Sequence, residues 1–73
     1  MKSFLVIGLG RFGRHLTRYL LELGNEVMVL DKDEEKVAKV ASMATAACVG
    51  DCQDEQVLEA LGVRNFDICF VCV

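Results

Sequence analysis

The sequence predicts an α/β fold, an open parallel sheet of strand order 3-2-1-4 with helices on both faces. Three observations carry that reading. A short apolar run, Phe4 to Ile7, leads directly into Gly8-x-Gly10-x-x-Gly13, and a helical pattern follows the last glycine. An acidic residue, Asp31, closes the next apolar run, about 20 residues after the glycines, where this kind of turn has its ribose-binding carboxylate. Apolar runs then alternate with helix-period segments to the end of the chain, which gives βα units joined by right-handed crossovers. Together these describe a partial Rossmann-like sheet, a little more than one mononucleotide-binding half.

Phe4 to Ile7 is the first strand, and each glycine after it has a physical task. Gly8 allows the tight turn, Gly10 lets a pyrophosphate approach the backbone, and Gly13 lets the helix pack close to the strand. Unpaired amides at the helix start face the anion, and the helix dipole favours negative charge there. The first helix is expected from about Arg11 to Leu23, with Phe12, Leu16, Leu20 and Leu23 as its face against the sheet. Gly24 and Asn25 stop it. Arg11, Arg14 and Arg18 lie on the opposite side beside His15. Cations near a helix amino terminus cost about 0.3–1 kcal/mol each. Arg11 and Arg14 therefore point to a nearby anion, with solvated surface arginines as the competing reading for Arg14 and Arg18. His15 has no nucleophile or hydroxyl partner close in sequence and reads as a surface histidine.

Val27 to Leu30 is the second strand. Asp31 at its end has the position and chemistry to accept ribose hydroxyls, and its charge repels a 2′-phosphate, an effect softened by Lys32. Asp33 is an N-cap with Glu34 and Glu35 in the first turn. Val37, Val40, Ala41 and Ala44 form the buried stripe of the second helix. Ala46 to Val49 is the third strand, ending in Gly50-Asp51. Asp51 stands at the carboxyl end of a strand, where open α/β sheets bind ligands; a place near an adenine edge and simple helix capping are both open to it. The third helix is expected over Gln53 to Leu61, with Val57, Leu58 and Leu61 inward and Gly62 as its stop. The fourth strand, Phe66 to Val73, is nearly continuous in apolar residues, as in a parallel strand buried on both faces.

Seventy-three residues, 53% hydrophobic and 26% charged without proline, make one small globular domain. A chain this short buries only roughly 60% of its unfolded surface, so stability is marginal. The net charge of −3 argues against DNA or RNA, whose phosphates require a basic face. No apolar run approaches the ~20 residues that span a bilayer, and the first apolar stretch is too short for a signal peptide. The expected location is therefore the cytoplasm. Cys48, Cys52, Cys69 and Cys72 suggest a zinc site by spacing, but Cys69 and Cys72 are three apart on a strand and point to opposite faces. Small buried hydrophobes in a reducing compartment are the preferred reading. Termination inside an apolar strand suggests a fragment, a single truncated domain over residues 1–73.

With Val6-Ile7-Gly8-Leu9-Gly10-Arg11-Phe12-Gly13, Asp31-Lys32 and Gly50-Asp51 in place, the sequence resembles the start of the RCK or KTN regulatory domains (TrkA N-terminal-like) of bacterial Ktr and Trk potassium uptake systems and ligand-gated potassium channels. The similarity runs in register over the whole chain, and the Arg11-Phe12 pair between glycines is its most specific part. The resemblance implies a non-catalytic module that binds NAD(H) or ATP/ADP. It also implies assembly as a homodimer or higher homo-oligomer, and coupling of ligand state to a membrane potassium-transport subunit. The module would then lie at the inner face of the cell membrane through its partner. By resemblance, Gly8, Gly10 and Gly13 match the phosphate loop and Arg11, next to Phe12, a position that reads phosphate charge. Asp31 and Lys32 match the ribose end, and Asp51 and Cys52 the loop near the adenine. An amino-terminal fragment of an NAD-dependent dehydrogenase is the alternative, because such enzymes keep their catalytic residues in later segments. A scaffold with an empty site ranks last.

Overall fold

A computed structural model describes residues 1–72. Four strands and three helices alternate: β1 (Ser3–Ile7), α1 (Arg11–Glu22), β2 (Glu26–Asp31), α2 (Glu34–Val40), β3 (Ala46–Val49), α3 (Glu55–Leu61) and β4 (Ile68–Val71), with a single 3-10 turn, Val63–Asn65, before β4. All pairings are parallel and the order is β3-β2-β1-β4. The predicted topology is therefore the observed one. Val73, the last residue of the expected fourth strand, lies outside the described residues.

The sheet divides the core in two. On one face Phe4 and Val6 of β1 and Val27 and Val29 of β2 pack with Leu20 of α1 and with Val37 and Val40 of α2. On the other, Leu5, Ile7 and Leu30 pack with Val57, Leu58 and Leu61 of α3. The alternation along β1 is thus split between faces by the pleat, and the central strands are apolar throughout because both faces are covered. Full burial of a Leu or Val side chain contributes about 1.5–3 kcal/mol, which concentrates stability in β1 and β2.

The inward face of α1 differs from the expected one. Phe12 and Leu23 are exposed, and the buried residues are Gly13, Thr17 and Leu20, with Leu16 packed at the margin of the core. The reason is the closeness of approach. A Cβ on Gly13 would fall 1.9 Å from the carbonyl oxygen of Gly8, so the helix reaches its distance from β1 only with glycine at the contact. That fixes the helix rotation, and Phe12, about 100° away round the helix, turns outward. Thr17 continues the contact line: it is fully buried, and its hydroxyl donates to the Gly13 carbonyl at 2.8 Å.

The remaining helices start on aspartates and are shorter than expected. Asp33 caps α2 and accepts from the Glu35 amide at 3.0 Å. The helix ends at Val40, so Ala41 is an exposed cap and Ala44 packs from the following turn. Asp54 caps α3 through the Gln56 amide at 2.9 Å, and Gly62 ends it in the left-handed conformation, φ 69°. The start of α3 at Glu55 rather than Gln53 follows from that cap. Phe66 and Asp67, expected to open the fourth strand, instead form a bend between the 3-10 turn and β4. Among the described residues β4 is an edge strand, with Ile68, Cys69 and Val71 exposed, and not a strand buried on both faces.

Candidate functional site

The carboxyl ends of β1, β2 and β3 meet at one side of the sheet, and there the turns after them enclose a cavity of about 230 Å³. Its lining includes Gly8 from the first turn, Asp31 and Lys32 from the second, and Gly50, Asp51, Cys52 and Gln53 from the third, over Ile7 and Leu30. Neighbouring strands that end in register bring these turns together: Ile7 pairs with Leu30, and Leu30 with Cys48.

Asp31 is the most constrained polar group in the cavity. One carboxylate oxygen accepts from the Leu9 amide at 2.7 Å and the other from the Asp33 amide at 2.8 Å. The first bond ties β2 to the glycine turn, and the Gly8 amide repeats the tie by donating to the Leu30 carbonyl at 2.9 Å. Burial raises the Asp31 pKa, but the Asp33 and Leu9 amides, with Lys36 and Lys32, outweigh it and hold the carboxyl below the ordinary aspartate value. A carboxylate has about four lone-pair sites. Two amides leave acceptor capacity on both oxygens for a pair of hydroxyls.

The amino terminus of α1 is bare. Gly10 is its N-cap, with no side-chain cap and no acidic residue in the first turn. Helix-start amides without partners carry the positive end of the dipole. Gly10 has φ −69°, which any residue adopts, and a Cβ built on it meets no atom within 4 Å. Nothing in the fold therefore requires glycine at position 10, in contrast to Gly8, at φ 96°, and Gly13.

Of the residues expected from sequence, Gly8, Asp31, Lys32, Asp51 and Cys52 line one cavity. Gly10, Arg11 and Phe12 are not part of its lining and stand at the start of α1, with Arg11 and Phe12 exposed. Gly13 is buried in the β1–α1 contact and sets the helix position. Asp51 is not the cap of α3. It accepts from the Gln53 amide at 2.9 Å and shapes the turn that forms the cavity wall. Arg14 lies elsewhere, in a groove between α1 and α2. Sequence reasoning missed Leu9 and Gln53. Leu9 is fully buried and carries the amide that Asp31 binds; an apolar residue between two turn glycines was its only signal. Cys69 and Cys72 face opposite sides as their spacing requires, Cys69 toward the Val63 carbonyl on the α3 face and Cys72 against the core on the α1 face. The four are not the buried hydrophobes expected: Cys69 is exposed and the other three are half-buried. No helix among the described residues is long and apolar enough to cross a membrane.

Comparison with known proteins agrees with this fold. Over 72 residues, 99% of this chain, it is 51% identical to Ktr system potassium uptake protein C of Bacillus subtilis (strain 168) and 44% identical to Ktr system potassium uptake protein A of the same organism. It covers 33% and 32% of those proteins, so the chain spans about a third of the length of the curated relatives it matches. Among solved structures, N5-carboxyaminoimidazole ribonucleotide synthetase from Thermotoga maritima superposes with a TM-score of 0.81 at 27% identity, over 100% of this chain and 19% of that one. The TrkA-N domain family model matches residues 4–73. The chain belongs to the TrkA-N domain family.

Proposed function

We propose that the chain is a nucleotide-sensing module that binds an adenine nucleotide, NAD(H) or ATP/ADP, across the Gly8–Gly13 turn and the Asp31 cavity. In this reading it carries out no chemistry. Its ligand state regulates potassium transport through a membrane partner, from the cytoplasmic side, within a homo-oligomer. Residues 1–73 act as one domain of that apparatus. The similarity to two Ktr potassium uptake proteins supports the transport role.

The observation that carries nucleotide binding is Gly10. Its side-chain space is open, its backbone angle is ordinary, and it faces an uncapped helix start. A glycine without a reason inside the fold finds one in a ligand whose phosphates must touch the backbone. Asp31 supplies the other end, with free acceptor sites for the 2′- and 3′-hydroxyls and a charge that disfavours a 2′-phosphate. The cavity of about 230 Å³ is smaller than the roughly 300–1,000 Å³ of sites that enclose drug-sized ligands. It suits a nucleoside, with the phosphates leaving over Gly10 toward Arg11.

Calorimetric titration of the chain and its Gly10→Ala variant with NADH and with ATP tests the reading. The added methyl should cost at least about tenfold in affinity, equivalent to about 1.4 kcal/mol, for the nucleotide that binds. Equal affinity in the two proteins, or no binding of either nucleotide by the parent chain, would overturn it.

A further inference from the structure

α1 and α2 pack on the same face of the sheet, and between them runs a groove of about 140 Å³. Its walls are Arg14, His15 and Arg18 of α1 and Lys39 of α2, with Val40 and Met43 as its apolar part. It shares no residue with the cavity at the strand ends.

Charge and desolvation single this groove out. The whole chain carries −3, yet the groove's lining holds three cations and a histidine with no carboxylate. Arg14 and Arg18 are one helical turn apart, so their side chains lie on one side of α1. Like charges gathered from two helices repel one another unless an anion lies between them. Arg14 adds an independent sign. It is only partly exposed, and its Nε is covered from solvent without any hydrogen-bond acceptor. A covered donor without a partner loses its hydration and gains nothing in return, and folded proteins seldom leave one so.

We propose that the α1–α2 groove is a second anion site, distinct from the nucleotide cavity, and that it takes a phosphate group. Guanidinium forks match phosphate oxygens in bidentate geometry, and the lysine adds a point charge. The apolar floor of Val40 and Met43 lowers the local dielectric and strengthens those bonds. The groove is smaller than the strand-end cavity, which favours one or two phosphates over a whole nucleotide. The phosphate can come from a soluble phosphorylated compound or from an anionic lipid headgroup.

Heteronuclear NMR of the full chain, with the arginine Nε–H signals resolved, separates the two sites residue by residue. Inorganic pyrophosphate should shift the Arg14 Nε–H and the Arg18 and Lys39 amides together along one saturating curve. The double variant Arg18→Gln/Lys39→Gln changes only exposed side chains and should bind there at least about tenfold more weakly. Its glycine-turn amides should respond as in the parent chain. Co-sedimentation with phosphatidylglycerol vesicles, against phosphatidylcholine controls, identifies the source. Saturation by pyrophosphate without vesicle binding assigns a soluble phosphate, and vesicle binding lost in the double variant assigns a headgroup. The proposal fails if Arg14 Nε–H responds to neither probe, if only glycine-turn signals move, or if the double variant matches the parent. Shifts of the same signals with protein concentration alone would give the groove to an acidic segment of a second copy, and would overturn it as well.

Discussion

Gly10 and Gly13 carry the same residue for opposite reasons. At Gly13 an added methyl would overlap the Gly8 backbone, whereas at Gly10 it would meet nothing. Gly13→Ala is therefore expected to destabilise the chain by about 1–3 kcal/mol or more, the usual cost of forced overpacking, while Gly10→Ala leaves the urea midpoint almost unchanged. Similar midpoints for the two variants would contradict the packing account. Asp31 gives a second prediction. Its folded pKa lies below the ordinary value, so the unfolded chain takes up its proton first as pH falls. The stabilisation from Asp31 is complete above about pH 4, the unfolded aspartate range, and is lost as pH drops through the lower folded value. Asp31→Asn should flatten that part of the urea-midpoint profile, leaving the slope due to Asp67, which is also lowered by its bonds from the Ser3 amide and hydroxyl. An unchanged acid limb in the variant would remove Asp31 from the account. The glycine spacing made the turn and the carboxylate legible in the sequence. It could not convey that the carboxylate also binds the Leu9 amide, because spacing fixes the end of a strand and not a side-chain rotamer.

Among the elements, α1 shows best where periodicity misleads. Phe12, Leu16, Leu20 and Leu23 offer an apolar stripe at helical spacing, and by hydrophobicity alone all four belong against the sheet. Leu20 is buried there and Leu16 packs at its margin, but Phe12 and Leu23 turn outward. The observed face passes through Gly13 and Thr17, residues that score low for burial, because closeness to β1 outranks side-chain size. Hydropathy does not encode closeness, though the glycine at position 13 does. The consequence is measurable. Phe12 is 67% exposed and Leu20 only 7%, so Phe12→Ala should change stability by no more than about 0.5 kcal/mol. Leu20→Ala should cost about 2–5 kcal/mol, enough to unfold much of so small a domain. A larger loss at Phe12 than at Leu20 would return Phe12 to the packing face. The strands were more legible than the helices, since β1 and β2 are covered on both sides and their apolar runs leave no second choice. The start of α2 was legible in its Asp33 cap, whereas that of α3 was not, because Asp51 and Asp54 both stand near it and only hydrogen-bond geometry selects Asp54.

At the scale of the sheet, the described residues cover both faces and leave β4 paired on one side. Among the described residues β4 pairs only with β1, so its outer side presents unpaired amides and carbonyls. Ile68 is 40% and Val71 66% exposed on that strand. Edge strands are ordinarily protected by lysine, proline, a bulge or a covering element, and Ile68-Cys69-Phe70-Val71 contains neither lysine nor proline. The opposite edge, β3, is apolar as well, but Ala46 and Ala47 offer less area to bury. Seventy-three residues bury only part of their apolar surface, and a second copy set against β4 would add to that burial. For residues 1–73 taken alone we propose a homodimer joined along β4, to be seen by light scattering as a mass that rises with concentration in the micromolar range. Val71→Lys places a charge on an exposed side chain, which the monomer tolerates and a paired edge does not, and should return the protein to a monomer. Tyr19→Lys, on the exposed side of α1, should leave the dimer intact. A monomer throughout, or a dimer that ignores Val71→Lys and breaks with Tyr19→Lys, would move the contact from the sheet edge to the first helix.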